Sequence, residues 1–404
     1  MENEVYPKNK AYKKADLKRR LEDVLVDTLG PVKCRILCDT FLDAFYSRGQ
    51  LEKAKECVQY IEQLIPHDKG DYISIVYMEQ VSKLLSGGVE HDHVSKFIET
   101  FRFLTEDRRL LYSNTIEVSE LLFNALMEKK DGSVLKDYTN LVKHASNLEG
   151  WYGLQVAEDF PRIWLKSSSK CLGYYTRFIK NLPKPKEKWL FLDHDVNDEL
   201  IRVLPELLVG SVGEEELDFL VKETRDISDI DKNAGYKVVK PMASLALGGA
   251  DVKSLKSYSS YIKSLLEEPK LRESASLGEM WSPFLAASNN LVGLFLKGEG
   301  TKYMNAYIDS LKKIGSECGT KECFAATENI PKLFSELTPN QVTEWVSFGI
   351  KLSKDDPFFF DSTFSRIAKK LLIERVSLQD ATNCLNAYNK KLKGDKNNTR
   401  ITHT

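Results

Sequence analysis

The chain has 404 residues, 42% of them hydrophobic, so a substantial buried core is within reach of a chain this long. Its 58 basic and 59 acidic residues nearly cancel to a net charge of −1, which excludes a global electrostatic attraction to nucleic acid or anionic lipid. No stretch approaches the roughly eighteen uninterrupted apolar residues of a membrane span.

The opening MENEVYPKNKAYKK is polar and charged, which predicts a flexible basic tail over 1–14 rather than a secretory signal, with a first helix from Ala15. Within KNKAYKKADLKRR, the residues Lys13, Lys14, Lys18, Arg19 and Arg20 offer a contact for nucleic acid or an anionic surface. The competing reading is a solvated tail, since Glu22 and Asp23 follow almost at once.

From there a short pattern recurs: a large, usually aromatic residue inside a polar helix. It stands at Tyr60, Phe97, Tyr138, Tyr175, Phe219, Tyr258, Tyr307 and Trp345, with spacings of 37, 41, 37, 44, 39, 49 and 38. That is a loose period near forty, the length of a two-helix HEAT-like unit. A more apolar segment precedes most anchors and ends in a short loop, often with glycine: LLSGGVEHD before Phe97, LALGGADV before Tyr258, LFLKGEG before Tyr307. Glycine takes the left-handed conformation that ends a helix. Each unit therefore reads as an apolar helix, a tight turn, an amphipathic helix and then a longer connection. The anchors are expected in the core, and second aromatics such as Tyr174 and Tyr261 nearer a surface.

No run of period-two alternation bounded by turns marks a strand. The expected class is all-α: an α-solenoid (α-α superhelix) of about eight HEAT-like helix pairs. NLPKPKEKW, at 181–189, is the longest helix break and divides the array into subarrays over 15–182 and 183–392. LLEEPKLRESASLGEMWSP reads as another extended connection, and residues 393–404 as a disordered tail.

Candidate chemistry is sparse. Glu90-His91-Asp92-His93 is the densest group of metal-ligand types, but it falls in a turn, where Asp serves as an N-cap. Asp193-His194-Asp195 resembles the His-Asp pair of metal phosphohydrolases but lacks further histidines in the required contexts; a cap for the helix NDELIRVLPELL is the simpler role. The seven cysteines (Cys34, Cys38, Cys57, Cys171, Cys318, Cys323 and Cys384) lack the paired CxxC spacing of structural zinc and read as buried thiols in a reducing, cytoplasmic compartment. A redox-sensitive Cys318–Cys323 pair is the alternative. No GxxxxGK[ST], GxGxxG or GxSxG occurs, so nucleotide binding and serine hydrolysis lack their signatures.

Two segments, NLEGWYGLQVAEDFPRIWLKSSSKCLGYY and QVTEWVSFGIKLSKDDPFFFDSTFSRIAKKL, share an arrangement: Trp opening a helix, an Asp-Phe-Pro or Asp-Pro turn, and an aromatic-rich second helix. This resembles the helical-repeat region of prokaryotic von Willebrand A domain proteins, whose members work beside MoxR-type AAA+ ATPases. The chain departs from that family in having no DxSxS motif, so the resemblance implies the helical part alone, without metal-dependent adhesion. The expected function is a non-enzymatic protein-interaction scaffold with a protein partner and no cofactor or metal. The alternatives are nucleic-acid binding through a local basic groove and an enzyme whose site is dispersed over several repeats.

Overall fold

The computed structural model describes residues 14–23, 25–26, 31–46, 50–64, 71–106, 112–129, 131–184, 195–278, 282–298, 301–334 and 337–353, with two isolated positions beyond. Among them there is helix and no strand, so the chain is all-α. Residues 14–23 are helical, and the later helices are α1 (Pro31–Tyr46), α2 (Leu51–Leu64), α3 (Asp71–Ser86), α4 (His91–Glu106), α5 (Tyr112–Lys129), α6 (Leu135–Leu148), α7 (Gly150–Lys166) and α8 (Ser169–Lys180). They continue as α9 (Val196–Val209), α10 (Glu214–Ile230), α11 (Lys232–Leu247), α12 (Val252–Leu266), α13 (Pro269–Ser274), α14 (Pro283–Leu296), α15 (Thr301–Glu317), α16 (Thr320–Leu333) and α17 (Pro339–Ser353).

The chain divides into two compact units. One comprises residues 1–188 with 204–209, the other 189–203 with 210–404. In the first unit helices from α2 onward pack on the helix two further on: α3 on α5 and α5 on α7 in one layer, α2 on α4, α4 on α6 and α6 on α8 in the other. In the second unit α11, α14 and α16 form one layer and α10, α12, α15 and α17 the other, with the short α13 beside α12 to α16. The layers differ as the amphipathic logic requires: α3, α5, α7, α11 and α14 are more apolar than the helices that follow them.

The predicted turns fall where expected. Gly88 and Gly249 carry φ of +82° and +87°, a conformation without penalty for glycine, and each ends its helix. The following amides close back on the last turn, Val89 N–H to the Leu84 carbonyl and Ala250 N–H to the Leu245 carbonyl. Helix starts are capped by Ser168, Asp195, Asp231, Asp251 and Ser282, whose side chains accept from backbone amides two or three residues on.

Four expectations are corrected. The connection after the second helix of a pair is a single residue in two places, Glu149 between α6 and α7 and Asp231 between α10 and α11. Each corner relies on a close approach: a Cβ on Gly153 would lie 1.8 Å from Ser146 Oγ, and one on Gly235 2.4 Å from Ser228 Cβ. Second, Asp159-Phe160-Pro161 is not a turn, because Pro161 lies inside α7. Pro205, Pro241 and Pro331 likewise sit inside α9, α11 and α16. Proline lacks the amide that would bond the carbonyl four residues earlier, so helix survives here only where tertiary packing compensates. Third, the segment after α12 is not wholly extended, since it contains α13. Fourth, Phe219 is half-buried while Leu217 and Leu220 fill the core, and Tyr174 is buried rather than at a surface.

The other described anchors lie as expected: Phe97, Tyr138, Tyr175, Tyr258 and Tyr307 are fully buried and Trp345 nearly so, while the Tyr60 side chain is outside the described set. Two of the tyrosines answer the prolines. Tyr138 Oη donates to the Ala157 carbonyl at 3.1 Å, and Tyr307 Oη to the Thr327 carbonyl at 3.0 Å. Those are the carbonyls four residues before Pro161 and Pro331.

Candidate functional site

The predicted basic segment is drawn into the fold. Lys14 pairs with Asp43 and lies 5.4 Å from the Tyr46 ring; Lys18 Nζ is 2.6 Å from Asp39 and 3.8 Å from Glu22. Arg20 makes a two-point contact with Glu62, at 2.8 and 2.6 Å, the geometry in which guanidinium and carboxylate match best. Arg19 is the most exposed of them and, among the described residues, meets Asp16 at 3.4 Å. Lys13 lies outside the described residues. These partners come from α1 and α2, so the segment's charge is spent largely on holding helix 14–23 in place.

The Glu90–His93 group opens α4 and its side chains diverge. His91 Nε2 is 3.1 Å from Glu56, Asp92 accepts from Lys96 at 2.5 Å, and His93 Nε2 is 4.0 Å from Asp131. The lysine holds Asp92 below the ordinary carboxylate range. Asp195 accepts from the Asn197 backbone and side chain at 2.8 and 2.9 Å and so caps α9, whereas Asp193 and His194 lie outside the described residues. Among the described residues, no group of three or more His, Cys, Asp or Glu is placed to hold a metal ion.

The described cysteines are free thiols. Cys34 and Cys38 face each other across one turn of α1 at 3.9 Å, and burial pushes Cys38 and Cys57 up to about 12. Cys318 and Cys323 address different partners, Ser353 at 3.1 Å and the Leu311 carbonyl at 3.7 Å. Burial raises both, most strongly Cys323, which opposes the thiolate that redox chemistry needs. Cys384 lies outside the described residues.

Buried carboxylates, Asp159, Glu199 and Glu223 among them, were not singled out by sequence. Asp159 in α7 accepts from Gln155 Nε2 at 2.7 Å and is 4.0 Å from Arg162; burial raises it to about 7. Glu199 in α9 lies 3.0 Å from Lys240 and 3.7 Å from Arg202. Glu223 in α10 meets Ser259 and Lys263 of α12. Burial pushes it up, but the hydrogen bonds from Lys263 and Ser259 prevail and hold it below its ordinary range. Glu199 and Glu223 tie α9 to α11 and α10 to α12, whereas both named partners of Asp159 lie on its own helix.

Another pattern becomes visible when helices of the second layer are superposed on their anchors. Five residues after Phe97, Tyr138, Tyr175, Leu220, Tyr258 and Tyr307 stand Arg102, Lys143, Lys180, Arg225, Lys263 and Lys312. Several reach back to the preceding helix of the layer: Lys143 Nζ lies 4.8 Å from the Phe103 ring, Lys263 pairs with Glu223, and Lys312 is 2.7 Å from Glu267. Thr100 and Thr139, 3.2 Å apart, repeat the register of the Glu223–Ser259 pair. Aligning the anchor blocks would have exposed this pattern in the sequence.

Comparisons with protein-family models, curated proteins and solved structures give no match to this chain. Among the described residues, no helix is long and apolar enough to cross a membrane.

Proposed function

We propose that the chain is a non-enzymatic protein-interaction scaffold, an α-solenoid of HEAT-like helix pairs that offers an extended helical surface to a protein partner. One observation carries this reading: in both units, helices pack in two layers along the chain, α3, α5, α7 against α2, α4, α6, α8 in the first and α11, α14, α16 against α10, α12, α15, α17 in the second. Polar contacts between helices keep the same interval, with separations of 39 for Thr100–Thr139, 36 for Glu223–Ser259 and 42 for Arg272 to the Ile230 carbonyl. A pair built this way buries its apolar faces against the pairs before and after it and leaves one helical face open, so binding area grows with each pair.

The mechanism is shape and charge complementarity without bond chemistry. The distribution of polar groups supports it, because Glu199, Glu223 and the basic segment are engaged in holding helices together. The test is affinity capture from the native host, followed by reconstitution of the recovered protein with the purified chain. Saturable one-to-one binding that charge-reversing substitutions on a second-layer face abolish supports the scaffold reading. Turnover of a small molecule without any stoichiometric protein complex contradicts it.

A further inference from the structure

The second layer of the first unit is not evenly charged. The carboxylates carried by α4 (Asp92, Glu99 and Glu106) outnumber its cations; α6 carries two lysines against Asp137; α8 carries Lys170, Arg177 and Lys180 and no carboxylate at all. Helices α6 and α8 pack side by side. Lys136 and Lys143 are seven residues apart on α6, and Lys170 and Arg177 seven apart on α8, so each pair forms a stripe along one helix face. Lys180 extends the second stripe at the register of Lys143. All five side chains are exposed. Among the described residues no carboxylate lies within ion-pair distance of Lys136, Lys143 or Lys180, in contrast to the paired Lys14, Lys18 and Arg20.

We propose that the face formed by α6 and α8 binds the phosphate backbone of a nucleic-acid duplex without reading its bases. Two features favour this occupant over a folded protein. The stripes run on neighbouring helices about 8–10 Å apart, a scale on which flexible lysine and arginine heads can follow a regular row of phosphates. Residues 131–184 are described without a break and expose no large apolar side chain, although stable protein interfaces centre on aromatic or aliphatic anchors. The buried Tyr174 and Phe178 leave no ring free to stack on a base, so charge alone does the recognising. This surface is independent of the scaffold reading and stands or falls separately.

The experiment is fluorescence anisotropy of a labelled mixed-sequence DNA duplex with the full chain over a range of salt. Binding is expected to be indifferent to sequence, with log affinity falling against log salt by about 0.9 per phosphate neutralised, a slope of about −4.5 for five cations. K143E/R177E/K180E should weaken binding by at least about tenfold at fixed salt with helix content unchanged, and the milder K143Q/K180Q should flatten the slope by about 2. K253E/K256E on α12 of the other unit should leave affinity within about twofold. No binding at low salt, binding unchanged in both variants, or equal competition by polyglutamate would each overturn the proposal.

Discussion

Tyr138 Oη, fully buried on α6, donates to the carbonyl of Ala157 on α7, which Pro161 leaves without a helical partner. Removing that donor strands a buried carbonyl, at a cost of roughly 1–3 kcal/mol. Tyr138→Phe should therefore lower stability to urea by that amount. The loss should shrink in a Pro161→Ala background, where the new amide can bond Ala157 itself. At the equivalent place in the second unit, Asn290 Nδ2 also donates to the Thr327 carbonyl, at 2.6 Å. Tyr307→Phe should accordingly cost less than Tyr138→Phe. Equal costs with and without Pro161 would show that the tyrosine acts only through packing.

The one-residue corners make a second prediction. Gly→Ala in an exposed helix ordinarily gains about 1 kcal/mol. At Gly235 the added Cβ would meet Ser228 backbone at 2.5 Å and 2.7 Å, so Gly235→Ala should destabilise by about 3 kcal/mol or more. At Gly153 the first atom met is the Ser146 hydroxyl, at 1.8 Å. Ser146→Ala should therefore partly rescue Gly153→Ala, whereas Ser228→Ala should not rescue Gly235→Ala. Thermal melts of the four single and two double variants decide it.

Stability should also depend on pH in a defined direction. Burial raises Asp159 to about 7, from an ordinary value of 3.8. Below about pH 4 both the folded and the unfolded chain hold this proton. Between about 4 and 7 only the folded chain does, so its contribution to stability falls as pH rises, by up to about 4 kcal/mol from this group. Asp159→Asn should flatten that slope in denaturant titrations at pH 5 to 8. Glu223, held below its ordinary 4.5, has the opposite sign: its contribution is present above that value and is lost as pH falls through the folded value.

The thiols should be slow to react in the folded chain. Cys34, Cys38, Cys57 and Cys323 are buried, whereas Cys171 and Cys318 are partly exposed. Labelling with a thiol reagent at neutral pH, read by peptide mass mapping, should modify Cys171 and Cys318 before the four buried positions. Prior labelling of Cys38 or Cys57 would contradict the packing around α1 and α2.

Much of this architecture is legible in the residues. Helical periodicity, the turns at Gly88 and Gly249 and the buried Phe97, Tyr138, Tyr175, Tyr258 and Tyr307 follow from local chemistry. The corners do not, because the Asp231 cap marks a helix start without showing that the preceding helix ends one residue earlier, and Glu149 makes no side-chain cap bond. Gly153 and Gly235, which permit the close approach, are the fourth residues of the next helices. Pro161 misleads for a related reason: the local rule ends a helix there, and the compensating hydroxyl comes from Tyr138, on another helix. The basic segment is visible as charge alone. Its neutralisation depends on Asp43, Asp39 and Glu62, which lie 29, 21 and 42 residues away from Lys14, Lys18 and Arg20. Only the fold brings these together.

Small-angle X-ray scattering of the monomeric chain tests the central claim most directly. A compact single-core protein of this length has a radius of gyration of about 22 Å. A solenoid scaffold predicts a value well above that, with a pair-distance distribution skewed to long distances. A value near 22 Å with a symmetric distribution would contradict the account.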